Sequence, residues 1–159
     1  MTIKYNNTYH FHISDVAFGT LSTSVLCKLF KDGRVISHFI EKQLEVWFKN
    51  LLFEDGRGYD HRCIETDVLY DAKCFTKSGA NFSPSVMLGA GRKVNEEELH
   101  EHANVMNYII CDVYEFPKIR VVFKKGEDLI KDYPKGKIPF KDREKIFAPV
   151  TQLDRVAAF

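Results

Sequence analysis

The sequence predicts an α/β domain, and three observations carry that expectation. Ile36, Ile40, Leu44, Trp47 and Leu51 recur at i, i+4, i+8, i+11 and i+15, the spacing of one apolar helix face. Cys63, Ile64, Val68, Leu69, Tyr70, Cys74 and Phe75, and again residues 108–113 and 119–123, form runs that suit a pleated surface. Between these runs Asn95, with Glu98 three residues later, has the form of a capped helix start. No repeat, low-complexity tract or linker interrupts the 159 residues, so a single domain over 1–159 is expected.

In order, residues 14–30 are weakly helical, with Ser14 as a cap and Lys31, Asp32 and Gly33 as a stop. Residues 1–33 would then be an accessory or dimerisation arm. The helix with the apolar stripe is expected over 35–53, and the polar break Glu54, Asp55, Gly56, Arg57, Gly58 hands over to strands. Two strands joined by a tight turn near Glu65 and Thr66 are read between 59 and 75. Residues 77–93, rich in Gly, Ser and Asn and ending in Gly89, Ala90, Gly91, Arg92 and Lys93, read as a long functional loop. A helix over 96–106 follows, then a strand pair over 108–113 and 119–123. Beyond Gly126 the chain turns polar, basic over 135–145, and closes on an apolar tail at 156–159. The expected order is helix, two strands, loop, helix, two strands.

Composition narrows the functional classes. No run approaches the ~18 apolar residues of a membrane span, and the start lacks the apolar run of a signal peptide, so no membrane partner and an intracellular, cytoplasmic setting are expected. Cys27, Cys63, Cys74 and Cys111 stand singly, which argues against a zinc ribbon or a disulfide framework and for reduced, mostly buried thiols. The net charge of +1 neither requires nor excludes nucleic acid, which leaves local clustering to decide.

Asp71 and Lys73, separated by Ala72 on a strand, share one face about 6.6 Å apart along the chain. With the turn centred between Glu65 and Thr66, Asp60 lies opposite Asp71. Opposed carboxylates have Cβ atoms only about 5 Å apart and destabilise a sheet unless something positive sits between them. A hard cation such as magnesium resolves that conflict. Glu41, about 100° from Ile40 around the helix, sits at the edge of the apolar stripe and would reach the rim of such a site. Taken without that order, these residues are ordinary surface charges of a hairpin.

The ordered set Glu41, Asp60, Asp71, Ala72, Lys73 resembles the PD-(D/E)xK nuclease superfamily, with its helix glutamate, hairpin aspartate and (D/E)xK strand; Tyr59 stands where the usual proline would precede Asp60. Within it the chain resembles small type II restriction endonucleases of the PvuII type, over roughly 35–123. The resemblance implies a restriction-endonuclease-like core, a central mixed β-sheet flanked by α-helices. It also implies magnesium-dependent hydrolysis of phosphodiester bonds in double-stranded DNA by a homodimer. Asp60, Asp71 and the Ala72 carbonyl would ligate the metal, Lys73 would stabilise developing charge, and Glu41 would hold a second metal or orient water. The alternatives are a structure-specific nuclease of the Holliday-junction resolvase or repair type, and a noncatalytic nucleic-acid-binding protein.

Lys77, Ser78, Asn81, Ser83, Ser85, Arg92 and Lys93 lie on or beside the polar loop, and their donors suit DNA phosphates, the alternative being routine solubility. Gly89, Ala90 and Gly91 lack the third glycine of a dinucleotide fingerprint, so no nucleotide cofactor is expected. His10, His12, His100 and His102 have no third ligand at metal spacing and read as surface or core histidines, and His61 should face away from Asp60. Lys124, Lys125 and the stretch Lys135, Lys137, Lys141, Arg143, Lys145 read as solvated faces, with a backbone-binding flank as the alternative. Phe39, Trp47, Phe48 and Phe53 are assigned to core or interface.

Overall fold

The computed structural model describes residues 2–55 and 58–147. Gly56, Arg57 and the apolar tail at 156–159 lie outside the described residues. The elements run β1 (Thr8–His12), α1 (Thr23–Leu29), α2 (Gly33–Trp47), β2 (Leu51–Phe53), β3 (His61–Cys63), β4 (Leu69–Phe75), β5 (Ala80–Asn81), α3 (Glu96–Val105), β6 (Asn107–Asp112), β7 (Lys118–Lys125), α4 (Gly126–Asp132), β8 (Lys137–Ile138) and α5 (Arg143–Ile146). Six strands form one mixed sheet in the order β1-β7-β6-β4-β3-β2. Only β4 and β6 are parallel, and the chain between them crosses over through α3, as a parallel pair requires. The protein is α/β, with helices against both faces of the sheet.

Alternation along β4 separates two cores. Tyr70, Ala72 and Cys74 face the α2 side, where Ile36, Ile40, Leu44 and Trp47 pack with Phe48, Phe11 and Phe123. Leu69 and Phe75 face the other side, with Leu99, Ala103 and Met106 around α3 and Leu129 and Ile130 of α4. Asp71 and Lys73 belong by the same alternation to the α3 face.

Several boundaries differ from the sequence reading, each for a nonlocal or conformational reason. The helix expected over 14–30 begins only at Thr23, capped by the Ser22 side chain, which accepts from Val25 N at 3.2 Å. Upstream, Asp15 and Gly19 hold positive φ values of 54° and 59°, which no helix accommodates. Residues 8–12, unassigned from sequence, form the edge strand β1 on β7. The helix expected over 35–53 starts at Gly33, with the Asp32 carboxylate accepting from Arg34 N at 2.9 Å, and stops at Trp47. Leu51 continues the helical spacing by coincidence: it pairs with Cys63 in β2, so three strands rather than two follow α2.

The hairpin is as expected in register. His61 lies opposite Tyr70 and Arg62 opposite Leu69, as a turn centred between Glu65 and Thr66 dictates. Asp67, at φ 59°, turns the chain, and Cys63 N donates to Val68 O at 2.8 Å. α3 begins at Glu96 with the Asn95 side chain accepting from Glu98 N at 3.2 Å.

The segment 77–93 is not simply an exposed loop. Phe82 and Met87 are buried in the α3-side core, and β5 pairs with β8. Gly79 makes this possible: at φ 79°, a Cβ there would run into the Ile138 carbonyl. Nor is Arg143 a solvated cation. It and Arg120 both bond the carboxylate of Asp112, buried at 1% exposure, and so tie α5 to β6 and β7. Cys63 and Cys111 are buried and Cys27 and Cys74 half-buried, all four as free thiols. No helix among the described residues is long and apolar enough to cross a membrane.

Candidate active site

The site begins where a strand is missing. β3 starts at His61, opposite Tyr70, so β4 from Asp71 onward has no strand beside it on that edge. Asp60 leaves the ladder after its N–H donates to Tyr70 O at 3.0 Å, and its carboxylate then accepts from Ala72 N at 2.8 Å. A side chain thus takes the place of the absent strand. A strand residue's N–H and C=O point to the same side, so the Ala72 carbonyl faces the edge where the Asp60 carboxyl stands.

The Asp60 and Asp71 carboxyl groups lie close enough to act on one another directly. Burial foremost, then the Asp71 carboxyl and more weakly the charge of Glu41, push the Asp60 carboxyl up to about 8, while the Ala72 N–H pulls the other way. Asp71 also holds Lys73: Nζ to Oδ2 is 3.2 Å, with the two side chains 17% and 15% exposed. Two carboxyls and one ammonium are therefore gathered on a single strand edge. No family model, curated protein or solved structure matches this chain.

Glu41 approaches from the opposite face. α2 crosses β4 closely at Gly33, where a Cβ would stand 3.3 Å from that of Cys74, and this brings the helix to the uncovered edge. His61, fully buried, donates from Nε2 to the Glu41 carbonyl at 2.7 Å and fixes the turn of helix that carries Glu41. Burial holds the His61 ring neutral, below the usual histidine range. As expected it faces away from Asp60, with Tyr70. The Glu41 carboxylate accepts from His38 Nδ1 at 3.3 Å.

Glu41, Asp60, Asp71, Ala72 and Lys73 line a cleft of about 1240 Å³. Among the described residues no three His, Cys, Asp or Glu side chains are gathered at metal-ligating spacing, so Glu41 stands apart from the Asp60–Asp71 pair. Magnesium, however, is usually held by one or two carboxylates with waters and substrate phosphates. Two carboxyls held side by side, with a carbonyl on the same edge, fit that donor set.

Of the loop residues expected to meet DNA, Lys77, Ser78, Asn81 and Ser85 line the cleft. Ser83 does not: it is fully buried beneath Gly136, where an added Cβ would lie 2.5 Å from its hydroxyl. Arg92 and Lys93 are exposed but outside the cleft, Arg92 Nη1 donating to Ser85 O at 3.2 Å. A further set of cleft cations was not foreseen: Lys28, Lys31 and Arg34, from the α1–α2 corner, also line it.

Two further groups went unread. Tyr108, beside Asp71 on β6, is fully buried, and its hydroxyl has no hydrogen-bond partner among the described residues. His102 of α3 lines the cleft near Asp71 and Lys73, its Nε2 likewise buried without a partner. The sequence carried one signal for it: a polar residue on the stripe Leu99, Ala103, Met106. His100, by contrast, is at the surface, bonded to the Pro134 carbonyl at 3.1 Å.

Proposed function

We propose that this chain is a magnesium-dependent endonuclease that hydrolyses phosphodiester bonds in double-stranded DNA, of the sequence-specific type II restriction kind. The observation that supports it most directly is the Asp60–Asp71 carboxyl pair with the Lys73 ammonium 3.2 Å from Asp71, inside a cleft also lined by Lys28, Lys31 and Lys77. The order helix with Glu41, three antiparallel strands, crossover helix and parallel strand is compatible with a restriction-endonuclease-like core.

Asp60, Asp71 and the Ala72 carbonyl would hold magnesium, which when bound supplies Lewis-acid polarisation of a phosphate and a more acidic water. Lys73 donates to phosphoryl oxygens as negative charge develops there, and Asp71 keeps its ammonium in place. Glu41, at the rim, orients water. The lysines of the cleft walls neutralise neighbouring phosphates and fix the strand's path. A homodimer, with one site for each strand of a palindromic target, completes the reading.

The deciding experiment incubates the purified chain with long duplex DNA, with and without magnesium, beside Asp71→Ala and Lys73→Ala. Discrete fragments from wild type only, and only with magnesium, support the reading. Equal cutting by the variants refutes the site, cleavage confined to branched DNA favours a structure-specific nuclease, and salt-sensitive binding without cutting leaves a noncatalytic binder.

A further inference from the structure

We infer that His102 is a further catalytic residue of this site, donating a hydrogen bond from Nε2 to a non-bridging oxygen of the scissile phosphodiester; this rests on the nuclease reading above. The inference starts from position. Leu99 and Ala103 are fully buried on α3 and Met106 nearly so, and His102 lies on the flank of that same stripe, where an apolar side chain would pack at no polar cost. Its Nε2 is instead buried with no partner among the described residues, an arrangement that is costly unless something else meets the atom.

The ring's surroundings say what that partner would be. His102 borders the cleft together with Asp71, Lys73, Asn81 and Ser85. Asp71 and Lys73 both act on it through their charges, and burial holds its imidazole below the usual histidine range, in the neutral form. A neutral imidazole with one N–H is a donor that adds no further cation beside Lys73. An anion with several acceptor oxygens, seated against Lys73, is the chemistry that meets both groups. Tyr108, the other buried polar atom near Asp71, does not border the cleft and has no part in this.

In the hydrolysis so assisted, a bond forms from water oxygen to phosphorus and the bond from phosphorus to the leaving oxygen breaks. The water's proton goes to solvent, and the leaving oxygen takes one from solvent. His102 transfers no proton; it holds the phosphoryl oxygen while charge develops.

The test compares His102→Phe, which keeps a ring of similar size without a donor, with His102→Gln, whose amide reaches the Nε2 position. Cleavage is measured with magnesium, duplex affinity with calcium in its place, and folding by circular dichroism and thermal melting. His102→Phe is expected to lose on the order of a hundredfold in kcat with duplex affinity and melting nearly unchanged, and His102→Gln to stay within about tenfold of wild type. If wild type cuts and Asp71→Ala does not, yet His102→Phe cuts like wild type, this inference alone falls. Equal impairment of both variants, with lowered melting, also overturns it by showing a packing role. A wild-type chain that never cuts overturns both readings.

Discussion

The Asp60 and Asp71 carboxyls stand side by side, although only Asp71 is on a strand. Asp60 reaches it from a bend, anchored by the Ala72 N–H at 2.8 Å. Two like groups held this way are a stability problem and a binding opportunity at once, and they set the first two predictions.

Without divalent cation, Asp60 keeps its proton in the folded state up to about pH 8, whereas the unfolded chain loses it near the ordinary 3.8. The folded state therefore binds more protons across that window, so this group's stabilisation is complete below about pH 4 and is lost as pH rises towards 8. Asp60→Asn keeps the acceptor for Ala72 N and removes the titration. In chelator its melting temperature should match wild type near pH 4 and exceed it at pH 8 by about 4–8 °C, for roughly 2 kcal/mol. Melting curves across pH check this; a constant difference would exclude Asp60 as the titrating group.

Cation binding requires both carboxylates ionised, so it should release close to one proton near pH 7 and weaken as pH falls. Calorimetry with magnesium or manganese, in two buffers of different ionisation enthalpy, measures the release. At about 100 times Kd the cation should stabilise wild type by about 2.7 kcal/mol and leave Asp71→Asn unchanged.

Gly79→Ala puts a Cβ against the Ile138 carbonyl at a backbone φ of 79°. A loss on the order of 2–4 kcal/mol in urea unfolding is expected, from strain and from separating β5 and β8.

Asp112 is buried with two guanidinium partners, at 2.9 Å from Arg120 Nη2 and 2.9 Å from Arg143 Nη2. Asp112→Ala leaves both cations without their central anion and should cost about 3–5 kcal/mol in urea unfolding, with activity per folded molecule retained. Arg120 and Arg143 also bond Glu144, which limits the loss.

Duplex binding in calcium should depend on salt through the cleft lysines. Removing Lys28, Lys31 or Lys77 singly should lower the slope of log affinity against log salt by about 0.9 each, whereas Lys124→Ala, outside the cleft and bonded to Asn6 at 2.9 Å, should not. Filter binding over a salt series distinguishes them.

Local information was legible where chain neighbours decide the outcome. The stripe Ile36, Ile40, Leu44, Trp47 is a periodic signal within one helix, the Asn95 cap lies within four residues, and the hairpin register follows from one turn. The position of Asp60 beside Asp71 followed from that register, although its departure from the ladder did not. Leu51 misled because an apolar residue at helical spacing is also what a buried strand needs, and only its pairing with Cys63 separates the two. Ser83 looked like a solvent-facing donor among Gly, Ser and Asn, but Phe82 and Met87 draw its segment into the core.

By itself, then, the chain's order of residues determined the α/β character, the α2 stripe, the hairpin and the pairing of Asp71 with Lys73, because each rests on periodicity or contacts a few residues long. Tertiary structure alone decided that β3 stops short of Asp71, that α2 carries Glu41 to the exposed edge, that Lys28, Lys31 and Lys77 line one cleft, and that His102 borders it. Those outcomes depend on burial shared between segments far apart in sequence, and no local pattern encodes which distant surface a helix will cover.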